Sequence, residues 1–180
     1  MRVIGATSIL LLALTATGAA QKSVASLRPA HAAALQEYLA KHRDFDFLSE
    51  GRCDPGSLKA MREQFGPRFN PFYKVGDFNH DGRQDFALVL VRDRAARVET
   101  MLAESHRYRY DVRVVVFNGE RRGGYRPAFE RDYDAPLVCF LALSRERRSK
   151  LYFAIFETDD GFVMTPAGRG YIAEALYDDR

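Results

Sequence analysis

The sequence predicts an α+β domain. Two segments of helical period come first, and from Phe72 onward the pattern changes to short apolar or alternating runs bounded by turn residues. The composition, 47% apolar and 28% charged in a chain of 180 residues, is that of a globular protein rather than a disordered or fibrous one. The expected architecture is two N-terminal helices packed on a mainly antiparallel sheet of about six strands.

Pro29 opens the first helical pattern, with Ala32, Leu35, Tyr38 and Leu39 on one face and an end near His42. The second helix is better punctuated. Asp54 suits the N-cap, Pro55 the first helical position, and Leu58, Met61 and Phe65 recur at helical spacing before Gly66-Pro67 stops the run. Strands follow at 72–76, at Phe86 to Val91, at Val112 to Phe117 with Asn118-Gly119 as a closing turn, and at Leu137 to Leu143. The run from Phe86 to Val91 is apolar on both faces, which predicts a central strand covered on both sides. Leu151 to Phe156 and Phe162 to Thr165 flank Asp159-Asp160-Gly161 and read as a hairpin; one more short strand fits the tail. Segment 92–111 suits either a helix or a charged excursion between strands.

The first 20 residues read as a secretory signal. Arg2 supplies a positive start, Ile9 to Leu14 an apolar centre, and Gly18-Ala19-Ala20 the small residues for cleavage before Gln21. The expected mature domain is 21–180, secreted or periplasmic. No other stretch approaches the roughly 18 apolar residues of a membrane helix. Cys53 and Cys139 are the two cysteines. In an oxidising compartment they read as one disulfide, worth roughly 4–5 kcal/mol of unfolded-state entropy; otherwise Cys139 is a small buried hydrophobe.

One segment carries a specific motif: Gly76-Asp77-Phe78-Asn79-His80-Asp81-Gly82-Arg83-Gln84-Asp85-Phe86-Ala87. Oxygen-bearing side chains recur at 77, 79, 81 and 85, in the manner of a loop that surrounds calcium with oxygens. Gly82 stands where such a loop turns sharply. Asp77, Asn79, Asp81 and Asp85 are the candidate side-chain ligands and Arg83 the candidate carbonyl ligand, with its side chain in solvent. An EF-hand needs a bidentate Glu at the twelfth position, and Leu88 stands there. The loop is therefore of a β-hairpin type, spanning 72–91. Three carboxylates without that Glu predict affinity on the order of 10⁻⁴–10⁻³ M.

This segment resembles the calcium loop of FG-GAP and VCBS-type repeats. The resemblance implies a structural calcium held by Asp77, Asn79, Asp81, Asp85 and the Arg83 carbonyl, between strands that in those families belong to β-propeller blades. His80 stands where a glycine is common in the family. A propeller needs several blades and the chain has one copy, so the hairpin is expected inside a single compact domain.

Elsewhere the chemistry is sparse. His31, His42, His80 and His106 have no metal spacing and read as surface or helix-end residues. There is no G-x-S-x-G, no H-E-x-x-H and no phosphate-binding glycine loop. Net charge is only +3, yet the basic residues are 22 Arg against 5 Lys, and Arg/Tyr interleaving at 107–110 and 121–126 suits a polyanion-binding face. The primary reading is an exported, calcium-stabilised binding module whose partner is an unknown protein or an anionic glycan, not nucleic acid. The alternative is an envelope or extracellular hydrolase using loop carboxylates at 130–134 or 157–160.

Overall fold

The computed structural model describes residues 27–92, 97–99, 107–144 and 150–176. The expected signal segment, His106 and the turn at 145–148 lie outside the described residues. The fold is α+β, and the described residues hold ten strands in two antiparallel sheets. That corrects the single sheet of about six strands expected from the sequence.

Helix α1 spans Pro29–Lys41 and buries His31, Leu35 and Tyr38, spaced four and three apart so that they share one face. The His42 amide closes it on the carbonyls of Leu39 and Tyr38. Helix α2 spans Pro55–Phe65. Its Asp54 cap accepts the Ser57 amide at 2.8 Å, a bond worth about 1 kcal/mol. Gly66, at φ 108°, lets the chain leave the helix without a Cβ penalty.

Strands β1 (Phe45–Phe47), β2 (Tyr73–Gly76), β3 (Asp85–Arg92), β4 (Arg97–Glu99), β5 (Arg107–Gly119) and β6 (Tyr125–Ala135) form the first sheet. β5 pairs with one edge of β3, so β1 and β2 follow one another along the other edge, opposite Leu90–Arg92 and Asp85–Leu88 respectively. Strands β7 (Cys139–Leu143), β8 (Leu151–Ile155), β9 (Gly161–Ala167) and β10 (Gly170–Ala175) run as a meander in the second sheet.

β6 shows how the layers stack. Glu130 points toward α1, where the Tyr38 hydroxyl donates to it at 2.8 Å. Tyr133 and Phe129 point to the other face and pack on Phe153, Phe162 and Tyr171 of the second sheet. The order is therefore helix α1, first sheet, second sheet. β3 is the core of this sandwich: Asp85 to Val91 are all buried, as a strand covered on both faces must be. The apolar runs of β7 and β8 are buried for the same reason.

Three further sequence expectations change. Asn118 and Gly119 lie in β5, and the turn falls at 120–124, where Gly123 and Gly124 have φ of 83° and 89°. The acids at 130–134, expected in a loop, lie in an eleven-residue strand, Tyr125–Ala135. Cys53 and Cys139 are free, buried thiols, so the expected bridge is not formed in this structure. Burial pushes the Cys53 thiol up to about 11, and raises that of Cys139 as well.

Candidate functional site

The loop 77–84 joins β2 to β3, whose closing pair is Gly76 opposite Asp85. Its backbone is shaped by its own side chains. The Asp81 amide donates to Asp77 Oδ1 and to Asn79 Oδ1, each at 3.0 Å, and the Gly82 amide donates to Asp77 Oδ2 at 2.9 Å. The Arg83 amide donates to Asp81 Oδ1 at 2.9 Å. These Asx-type bonds fold the chain tightly enough to need left-handed residues, and Gly82 supplies one at φ 81°. His80 supplies the other at φ 60°. Histidine is among the side chains that tolerate this conformation better than most.

Asp85 sits apart from its exposed neighbours. Its relative exposure is 0%, and three backbone amides donate to it: Phe78 at 2.9 Å and Asn79 at 3.4 Å to Oδ2, and Gly119 at 2.9 Å to Oδ1. Burial pushes its carboxyl above the ordinary range and the three amides pull it back. No cationic side chain pairs with it among the described residues. Beyond Gly119, Asn118 Oδ1 accepts the Tyr171 hydroxyl at 2.9 Å, which ties β5 to β10 of the second sheet. Burial raises the Tyr171 hydroxyl, and the nearby Asp85, Asp81 and Asp77 raise it further.

Arg83 departs from the expectation of a solvated side chain. Its Nε donates to the Gly119 carbonyl at 3.0 Å, and its guanidinium pairs with Asp81 Oδ2. A long cationic side chain next to a carboxylate and a free carbonyl gains two partners by folding back.

The oxygens can be counted against their bonds. Each carboxylate oxygen has two lone pairs. Asp77 keeps one on each oxygen, and Asn79 Oδ1 and Asp81 Oδ1 keep one each, while the Asp85 carboxylate is also approached by the Tyr171 hydroxyl. Asp81 Oδ2 is filled by Arg83 and by the Asn79 amide at 3.0 Å. The donor set is hard oxygen throughout, with no nitrogen or sulfur, which fits calcium and fits zinc or copper poorly. Among the described residues no three His, Cys, Asp or Glu side chains already converge as a metal shell. Asp81 would have to exchange Arg83 for the cation.

The other candidate groups are placed as follows. Glu130 and Asp132 lie on β6, not in a loop. Arg113 grips Asp132 with two nitrogens, the Nη2 contact being 2.9 Å, and holds its carboxyl below the ordinary range. Arg92 reaches Asp44 at 2.9 Å, and both guanidiniums stack over the Phe45 ring, at 4.7 Å for Arg92 and 4.3 Å for Arg113. Asp160 accepts the Tyr133 hydroxyl. The carboxylates at 130–134 and 157–160 thus fall on different elements, and Glu130, Asp132 and Asp160 have Tyr38, Arg113 and Tyr133 as partners.

His31 was read as a surface or helix-end residue, and it is instead in the core. Its ring stacks on Phe86 at 4.2 Å, and its two nitrogens bond the hydroxyls of Tyr73 at 2.5 Å and Tyr125 at 2.8 Å. Burial, helped by the Arg28 charge, lowers its pKa to about 4. The spacing of His31 with Leu35 and Tyr38 was the available signal. Lys74 is a second group that the sequence did not single out. It lies over the Phe69 ring at 3.7 Å, and burial lowers its ammonium to about 8.

No helix is long and apolar enough to cross a membrane among the described residues. Comparison with known families, with curated proteins and with solved structures gives no match to this chain.

Proposed function

We propose that this protein is an exported binding module stiffened by one structural calcium in the loop from Asp77 to Asp85. The observation that carries the reading is Asp85: a fully buried carboxylate with no cationic side chain paired to it among the described residues, at the base of a loop already folded around Asp77, Asn79 and Asp81. A buried charge without a counter-charge is costly. Calcium would be held by Asp77, Asn79, Asp81, Asp85 and the Arg83 carbonyl, and would supply that charge. The resemblance to FG-GAP and VCBS-type loops supports the same ligand set, and the apolar segment at 9–14 supports export.

The role of the metal in this reading is mechanical. Asp85 links the loop to Gly119, and Asn118 links β5 to Tyr171, so ordering the loop orders one whole end of the sandwich. Among the carboxylates of the alternative hydrolase reading at 130–134 and 157–160, Glu130, Asp132 and Asp160 are engaged by Tyr38, Arg113 and Tyr133. The test is thermal unfolding in chelator and in millimolar calcium, for the protein and for Asp81→Ala. The expected result is a calcium-dependent rise in Tm that the variant lacks. Equal Tm in both buffers would contradict the reading.

A further inference from the structure

Three turns meet at the calcium-loop end of the molecule: 77–84, the β5–β6 turn at 120–124 and the β9–β10 turn at 168–169. Between them lies a groove of about 670 Å³. Its lining includes four guanidiniums, Arg83, Arg121, Arg126 and Arg169, against two carboxylates, Asp81 and Glu120. Both carboxylates are already used. Asp81 pairs with Arg83, and Glu120 lies 3.7 Å from Arg126 Nε. Among the described residues no carboxylate pairs with Arg121 or Arg169, and both residues are exposed. Arg126 also donates to the Arg169 carbonyl at 3.3 Å, which clamps two of the three turns together.

From this arrangement we infer that the groove is a binding site for an acidic oligosaccharide, one bearing carboxylates on successive sugars. The inference rests on the calcium reading, because the loop is one wall of the groove. Guanidinium forks match carboxylates with paired N–H donors. A groove of this size is far larger than a single ion needs and falls in the range of sites for ligands of several units. No large apolar side chain lines it. Protein partners need a buried apolar or aromatic anchor at the centre of the contact. Calcium at Asp77, Asn79 and Asp81 would cancel the negative charge of that wall, so affinity for the acidic chain rises with calcium.

The experiment is calorimetric titration of the protein with a short galacturonate oligomer. A neutral glucose oligomer of the same length and polyglutamate serve as comparison ligands. Each titration is run in millimolar calcium and in chelator, and the heat of calcium binding alone is measured separately. The Arg121→Ala/Arg169→Ala double variant is run in parallel, with melting curves to show that these exposed changes leave the fold intact. The expected result is binding of the galacturonate oligomer, weakened about tenfold or more in the double variant and also weakened in chelator, as befits the loss of two charge-assisted contacts. The neutral oligomer should not bind, and polyglutamate should bind more weakly. Calcium heat with no oligomer binding would overturn the groove and leave the calcium reading intact. Oligomer binding indifferent to both arginines would also overturn it, and polyglutamate binding as tightly would overturn the assignment to a sugar. Absence of calcium heat would remove the calcium reading, and with it the calcium-dependent form of this site.

Discussion

Asp85 Oδ1 accepts the Gly119 amide at 2.9 Å, a bond between the first residue of β3 and the last of β5. Through it the end of the loop at 77–84 is tied to the end of β5, next to the β5–β6 turn. The other oxygen of Asp85 holds the Phe78 and Asn79 amides at the start of the same loop. A single buried carboxylate thus organises three chain segments, before any metal is considered.

Replacing it should be costly in chelated protein. Asp85→Ala leaves the Phe78, Asn79 and Gly119 amides without their acceptor, and each stranded buried group costs about 1–3 kcal/mol. Asp85→Asn keeps the shape but turns an amide donor toward an amide donor, for a loss of about 1–3 kcal/mol. Urea unfolding would read both as lower midpoints, with the alanine variant lower. Midpoints equal to that of the unaltered protein would show that the carboxylate does not hold the loop.

Gly119 has its own constraint. A Cβ built there would lie 2.5 Å from the Gln84 carbonyl oxygen, which is backbone and cannot swing aside. Gly119→Ala is expected to cost about 1–3 kcal/mol by overpacking. Gly123 offers the contrast: open space surrounds the site, but its φ of 83° is left-handed, so Gly123→Ala should cost about 1–2 kcal/mol from the backbone alone. A difference in calcium response separates the two, since only Gly119 touches the loop.

His31 gives the stability a pH dependence. Its folded pKa of about 4 lies below the ordinary 6.5, so the folded state favours the neutral ring. The contribution is complete above about pH 6.5 and is lost as pH falls toward about 4, up to roughly 3 kcal/mol in all. Urea midpoints measured at neutral pH and near pH 4.5 should therefore differ. His31→Gln should shrink that difference, since Gln does not titrate. A variant with the same pH slope would assign the effect elsewhere.

Arg83 competes with a cation for Asp81. Removing its guanidinium in Arg83→Met should tighten calcium binding by about three- to tenfold, the effect of one neighbouring positive charge worth about 1 kcal/mol at a partly exposed site. Isothermal titration of both proteins reads this directly. Weaker binding in the variant would mean that the guanidinium supports the loop through Gly119 more than it opposes the metal.

Legibility from sequence followed physical cause. Both helices were readable because their ends are written locally, by Asp54-Pro55 and Gly66 in α2 and by Pro29 in α1. The strands β3, β7 and β8 were readable as apolar runs, but such runs do not say whether a helix or a second sheet covers them, so one sheet was expected where two pack together. β6 was missed because its charged residues, Glu130 and Asp132, look like loop acids until Tyr38 and Arg113 are seen opposite them. Within the loop, the residue types at 77, 79, 81 and 85 were plain. The amide that Gly119 gives Asp85 and the carbonyl it gives Arg83 come from β5, 34 and 36 residues away, and no local pattern encodes them. The tyrosines around His31 are more distant still, 42 and 94 residues away.

The central claim is that the loop binds calcium, and calorimetric titration of calcium into the chelated protein tests it most directly. The account predicts one site with a dissociation constant on the order of 10⁻⁴–10⁻³ M, and no heat from Asp81→Ala under the same conditions. No heat from the unaltered protein at millimolar calcium, or the same heat from the variant, would contradict it.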